Sequence, residues 1–176
     1  MLKGRIRKSE EPSDKERIHL RHTVPADEAY LKKWLLAENT LRGFPMENEA
    51  EVDDNLKMWM QYAKYGCALT AELEGEVVGG CVLYVHPYKK LVHACLFAII
   101  VDDSKRGCGI GTQLMEAMIQ YAKERLKIEQ LHLEVYDGIK AFDLYKRMGF
   151  IEYGREKDCL RDKGESIDKI LMYKWI

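Results

Sequence analysis

The stretch ACLFAIIVDDSKRGCGIGTQLMEAMIQYAKERLK, Ala94 to Lys127, decides how the rest of the chain is read. Its first eight residues, Ala94–Val101, are all apolar, which predicts a strand buried on both faces, since one wet face would impose alternation. Asp102, Asp103 and Ser104 break the run, and Arg106-Gly107-Cys108-Gly109-Ile110-Gly111 follows. From Ile110 a helical period takes over, placing Leu114, Met118, Tyr121, Ala122 and Leu126 on one stripe. Strand, glycine-rich turn and helix together make an anion cradle. Glycines let backbone N–H groups approach a ligand, and the helix N-terminus adds unpaired donors and the positive end of its dipole. A diphosphate suits such a cradle.

Two familiar diphosphate loops fail on residues. A Walker-type loop needs Gly-Lys-Ser/Thr, but Gly111 is followed by Thr112-Gln113, so no lysine reaches a terminal phosphate. A dinucleotide fingerprint needs a third glycine where Thr112 stands, and it normally opens its fold. What remains is Arg-x-x-Gly-x-Gly, filled by Arg106, Gly109 and Gly111. A valine at Gly109 or Gly111 is expected to block the backbone's approach to the diphosphate.

The 176 residues fit one domain with an ample core. With 28 basic and 29 acidic residues the formal charge is −1, so no general field recruits nucleic acid or an anionic membrane. No apolar run reaches the roughly 18 residues of a spanning helix, and the charged start MLKGRIRKSEEPSDKE is not a secretory signal. Residues 1–15 are expected to be a flexible leader, and 16–176 the domain. Five cysteines without a C-x-x-C pair read as reduced thiols of a cytoplasmic protein, with no disulfide or metal framework.

Along the chain, Arg17–His22 alternates weakly as a first strand, and Thr23-Val24-Pro25-Ala26-Asp27 offers an N-cap, a first-turn proline and an acid. The helix that follows should bury Leu31, Trp34, Leu35 and Leu41 before Arg42-Gly43-Phe44-Pro45 stops it. A second helix, Glu49–Tyr65, carries Val52, Leu56, Trp59, Met60 and Ala63 on one stripe. Strands are expected at Cys67–Glu74 and Val77–His86, at Gln130–Tyr136, and at Phe150–Cys159 and Ser166–Trp175, with a short helix over Ile139–Arg147. Hairpins flanking one βαβ unit predict an α+β fold: a mixed, mostly antiparallel sheet of about seven strands with helices on both faces.

A second signature, Ala141-Phe142-Asp143-Leu144-Tyr145-Lys146-Arg147-Met148-Gly149-Phe150, places Ala141, Leu144 and Tyr145 on one helix face. With the glycine loop, the preceding Val101-Asp102 and the following Thr112, it resembles the Gcn5-related N-acetyltransferase (GNAT) superfamily over roughly Ile18 to the C-terminus. Asp168-Lys169-Ile170-Leu171-Met172 further resembles the branch containing ribosomal-protein N-terminal acetyltransferases. The resemblance implies an acetyl-CoA-dependent N-acetyltransferase, with acetyl-CoA as cosubstrate and no metal. Its acceptor would be a small-molecule or peptide amine, with no nucleic acid or membrane partner, and a homodimer is left open. Backbone groups of Ile99, Ile100 and Val101 would hold the pantetheine, and Arg106, Gly107, Cys108, Gly109, Ile110, Gly111 and Thr112 the pyrophosphate. Tyr145 stands at the position of the thiolate-protonating tyrosine, though by spacing alone it reads more readily as core.

Acyl transfer to an amine needs a base, because the amine arrives protonated. One family position for it holds Cys95, and another matches Glu134, which desolvation would make more basic; His93 and His132 are the other candidates. Many members carry Asn where Gly138 stands, so the role of that side chain is unfilled here or falls to Asp137. Glu47, Glu49, Glu51, Asp53 and Asp54 crowd the second helix's start, either as partners of its dipole or as attractors of a cationic acceptor. Two rivals accompany direct transfer: an acyl-enzyme route through Cys108 or Cys95, and a non-catalytic acyl-CoA-binding or interaction module.

Overall fold

The computed structural model describes residues 18–176, the side chain of Asn39 excepted, so the expected leader lies outside the described residues. Seven strands form one sheet: β1 (Ile18–His22), β2 (Ala68–Leu73), β3 (Glu76–Val85), β4 (Ala94–Val101), β5 (Gln130–Tyr136), β6 (Ile151–Asp162) and β7 (Glu165–Trp175). Their order is β1-β2-β3-β4-β5-β7-β6, and only β4 and β5 run parallel. Two hairpins owe their register to left-handed turns. Glu74 and Gly75 (φ 53° and 84°) join β2 to β3, and Lys163 and Gly164 (φ 48° and 86°) join β6 to β7. Both central residues of such a turn need positive φ to match strand twist, so glycine at the second is the residue that costs least.

The helices are α1 (Glu28–Leu35), α2 (Glu38–Leu41), α3 (Glu49–Lys64), α4 (Ile110–Tyr121) and α5 (Ala141–Arg147). On one face, Leu31 and Trp34 of α1 and Val52, Leu56 and Trp59 of α3 pack on Ala68, Val82 and Ile100. On the other, Leu114, Met115 and Met118 of α4 pack with Cys81, Phe97, Leu131 and Leu133. The unbroken apolar run of β4 has its reason here: Ile100 enters one core, Cys95 and Phe97 the other. The α1/α3 core includes no residue of β5, β6 or β7, so that half of the face is left for a groove.

Two expectations at the front of the chain change. Thr23 does not cap the first helix; its hydroxyl lies 2.9 Å from that of Thr70. Asp27 acts instead, accepting from the Val24 N–H at 2.9 Å while holding Arg21 through two hydrogen bonds of 2.7 and 2.8 Å. The single helix expected through Leu41 breaks at Ala37, whose backbone is extended (φ −69°, ψ 127°), and restarts as α2. The break turns Thr40 inward, 3% exposed, where its hydroxyl accepts from Arg106 at 3.2 Å. The long helix also widens into a π turn over Ala122–Leu126 before Lys127 ends it in the left-handed region.

Candidate active site

Pairing between the parallel strands β4 and β5 covers only Ala94–Leu96 against Gln130–His132. Beyond Leu96 the two strands part. The Asp102 N–H donates to the Val78 carbonyl at 2.9 Å, which fixes the even-numbered residues of β4 as those facing β3. Ile100, expected to face a ligand, therefore uses its backbone groups in the ladder with Gly80. Ile99 and Val101 point theirs into the gap that β5 leaves.

At the end of β4 the chain is clamped before it turns. Asp102 accepts from the Ser104 N–H (2.9 Å) and hydroxyl (2.7 Å) through one oxygen, and from Trp34 Nε1 (3.0 Å) through the other. Burial pushes this carboxyl up, but those donors outweigh it and hold its pKa below the usual value. Gly107 and Gly109 then adopt φ of 85° and 83°, a region only glycine enters cheaply. Gly109 is the N-cap of α4, and among the described residues no side chain caps that helix. By contrast, Asn48 caps α3. The first-turn N–H groups of α4 are thus left as donors, which is the fit that a diphosphate requires.

The remaining loop residues divide. A Cβ on Gly111 would stand 3.2 Å from Leu144 Cδ2 and 3.8 Å from Val101 Cγ2, so its glycine admits α5 against β4. A side chain expected here to block the diphosphate would meet α5 first. Ile110 is a core side chain, 1% exposed, and can serve a ligand only through its backbone. Cys108 and Thr112 are half-buried. Arg106 is held by Asp103 at 2.5 Å and donates to Thr40.

The Gly111–Leu144 approach brings α5 beside the loop, and Tyr145 with it. Its ring is buried, edge-on to Phe150 at 6.2 Å. Its hydroxyl has no hydrogen-bond partner among the described residues, yet it is not sealed from water. Burial pushes the phenol's pKa up to about 12.

Glu134 lies on β5 just past the last β4–β5 pair, on the face opposite buried Leu133 and Val135. Its side chain is 45% exposed and 3.5 Å from Lys169 Nζ, so the desolvation expected for a base is not present. His93 and His132 line one groove with it, and His86 joins them unanticipated. Asp137 is engaged locally: its carboxylate accepts from the Gly138 N–H (3.0 Å) and from Arg155 (2.8 Å). The acids at the start of α3 are engaged locally. Glu51 accepts from the Glu47 N–H, Lys32 holds Glu49 and Asp53, and Lys57 holds Asp54. Sequence reasoning missed Asp102 as a clamp, although a carboxylate two residues before a serine signals an Asx turn, and a buried tryptophan N–H needs an acceptor.

No helix among the described residues is long and apolar enough to cross a membrane, and no group of three His, Cys, Asp or Glu could hold a metal. The chain is 30% identical over 105 residues to the L-amino acid N-acetyltransferase AaaT of Escherichia coli (strain K12), a match covering 59% of this chain and 65% of that enzyme. It is 26% identical over 125 residues to the spermine/spermidine N(1)-acetyltransferase of Bacillus subtilis (strain 168), covering 66% and 82%. The ribosomal-protein-alanine N-acetyltransferase from Brucella melitensis superimposes with a TM-score of 0.78 at 28% identity, over 90% of this chain and 99% of the other. Acetyl-CoA is the cosubstrate of the family these proteins share. Residues 29–150 match the family model for that group, and the chain belongs to the acetyltransferase (GNAT) family.

Proposed function

We propose that this chain is an acetyl-CoA-dependent N-acetyltransferase that moves the acetyl group to a primary amine by direct transfer. The observation that carries the proposal is the uncapped start of α4 behind two left-handed glycines, set beside the unpaired edge of β4. Arg106 and the backbone donors of Gly107–Thr112 hold the diphosphate in this reading. Ile99 and Val101 hold the pantetheine and polarise the thioester carbonyl, with donors aimed where negative charge develops. The amine becomes a nucleophile only after losing a proton, which Glu134 takes directly or through water. As the C–S bond breaks, Tyr145 gives its proton to the departing thiolate, and burial keeps that phenol protonated until then.

Direct transfer is preferred to an acyl-enzyme at Cys95. That thiol is 1% exposed, and burial, then the neighbouring Cys67, push its pKa up to about 12. Such a thiol supplies almost no thiolate at neutral pH. We place the reaction in the cytoplasm because all five cysteines are free. The two named relatives act on amino acids and on polyamines, both primary amines. The test is thiol release from acetyl-CoA by the purified chain with a panel of primary amines. Release that depends on an amine is expected. A panel with no release, alongside an acetyl-CoA-induced rise in melting temperature, would instead identify a non-catalytic acyl-CoA-binding module.

A further inference from the structure

A groove of about 430 Å³ lies over the last paired residues of β4 and β5, on the part of the sheet left bare by the α1/α3 core. Gln130, His132 and Glu134 rise from its floor at alternate positions of β5. His86 and His93 come from the two ends of the β3–β4 connection, and Tyr153 comes from β6. Its Glu134 end is where β4 and β5 part, so the groove meets the gap from the face opposite α4.

Three imidazoles and one carboxylate line the groove, and Lys169 already holds that carboxylate at 3.5 Å and Glu156 at 2.9 Å. The His132 ring is fixed by a 2.8 Å hydrogen bond with Gln130 Oε1 and by the Tyr153 ring edge-on at 5.8 Å. Burial, then the fields of His86 and His93, hold His132 below the usual imidazole value. An anion among the three rings favours the protonated form of His132, whose Nδ1–H can then donate to it, whereas a polycation disfavours that form.

We propose that this groove receives the acceptor, and that the acceptor is a zwitterionic amine, an α-amino acid, with its amine at Glu134 and its carboxylate among His86, His93 and His132. The inference rests on the N-acetyltransferase assignment above. Side chains two residues apart on one strand stand about 6–7 Å apart. An α-amino acid bridges that spacing with one hydrogen bond at each end. A polyamine finds that one carboxylate there and no second one for its other ammonium groups.

The experiment measures thiol release by the full chain with saturating acetyl-CoA, comparing L-amino acids, their carboxamides and spermidine. The amino acids should exceed their carboxamides in kcat/KM by roughly tenfold or more, the effect of one charge-assisted hydrogen bond. His132→Gln and, separately, His86→Ala should each raise KM for the amino acid about tenfold. Neither should change kcat, or KM for the carboxamide. Both variants should melt close to the parent, and the acid-to-carboxamide ratio of the parent stands as a test without them. Carboxamides or spermidine used as well as amino acids would overturn the inference and leave the N-acetyltransferase assignment intact. A fall in kcat with every acceptor in His132→Gln, at unchanged KM, would also overturn it and make His132 a base. No release with any amine, despite acetyl-CoA binding, would remove the assignment and the inference together.

Discussion

Replacing Gly109 by alanine separates the backbone's role in the cradle from its role in packing. Gly109 caps α4 at φ 83° and ψ 0°. An alanine held there costs about 1–2 kcal/mol, which lowers the melting temperature of a chain this size by roughly 2–8 °C. The loop can escape that strain only by leaving the left-handed region, which swings the first-turn donors of α4 out of alignment. In the parent, acetyl-CoA at about 100 times its Kd adds ~2.7 kcal/mol, a rise of roughly 5–11 °C. A tenfold loss of affinity leaves ~1.4 kcal/mol, so the rise should about halve. Gly111→Ala is the control. Its Cβ meets the flexible end of Leu144 at 3.2 Å, a contact that a small shift relieves. The gain in helix propensity, about 1 kcal/mol, offsets that crowding. Its melting temperature should stay within about 2 °C of the parent, and its acetyl-CoA shift should be kept. Thermal melts with and without acetyl-CoA measure both. A full shift in Gly109→Ala, or a shift lost in Gly111→Ala alone, would refute the assignment of donors to this loop.

Tyr145→Phe should lower kcat by roughly 10²-fold or more, as for loss of a general acid, with the acetyl-CoA shift in melting temperature unchanged. Because burial raises that phenol to about 12, its acid form persists as pH rises, and it should add no alkaline fall to the parent's rate through the neutral range. Glu134→Gln should lower kcat by roughly 10²–10⁴-fold without changing the melting temperature by more than a degree or so; a parent-like rate would move the base elsewhere, with His93 next to test. Asp27→Asn breaks a carboxylate 3% exposed from an Arg21 side chain 26% exposed, at a cost of about 3 kcal/mol or roughly 6–12 °C. Burial pushes the Asp27 carboxyl up, but Arg21, the Val24 N–H and Thr70 together hold its pKa below the usual value. Its stabilisation is therefore complete above about pH 4 and lost as pH falls through the lower folded value, so melts at acid pH should bring parent and variant together.

What the sequence made legible is what local pattern encodes. The apolar run of β4, the glycines at 107 and 109 and the stripe of α4 each act within a few residues, and each is found where its spacing puts it. The alternation of β5 told Glu134 from Leu133 and Val135. Strand direction told less: a run buried on both faces hides which backbone groups face a neighbour, so Ile100 could not be distinguished from Ile99 before the register with β3 was known. Gly111 was read as a loop glycine although its tight neighbour, Leu144, lies 33 positions on, beyond any local pattern. The histidine groove was illegible for the same reason. His86 and His93 stand at opposite ends of the β3–β4 connection and His132 on β5, and each alone is an ordinary polar residue near a strand end.

The placing of α2 against the β6–β7 hairpin resists sequence reading because exposed charges join the two. Lys163, at the β6–β7 turn, binds Glu38 of α2 at 2.8 Å across 125 residues, and Arg42 lies 3.6 Å from Asp162 of the same hairpin. Nothing in the spacing of these residues announces a partner. Water screens such pairs, with side chains 70% and 79% exposed for the first, so they cannot by themselves fix where α2 sits. Buried contacts do that: Thr40, 3% exposed, takes the Arg106 hydrogen bond, and Leu41 and Phe44 pack on the α1/α3 core. The same arginine stands in the glycine loop before α4. α2 is thus tied to that loop through Arg106 more firmly than to the hairpin opposite. A change of partner at Arg106 is therefore felt in α2, while the loss of either exposed pair should alter the position of α2 very little.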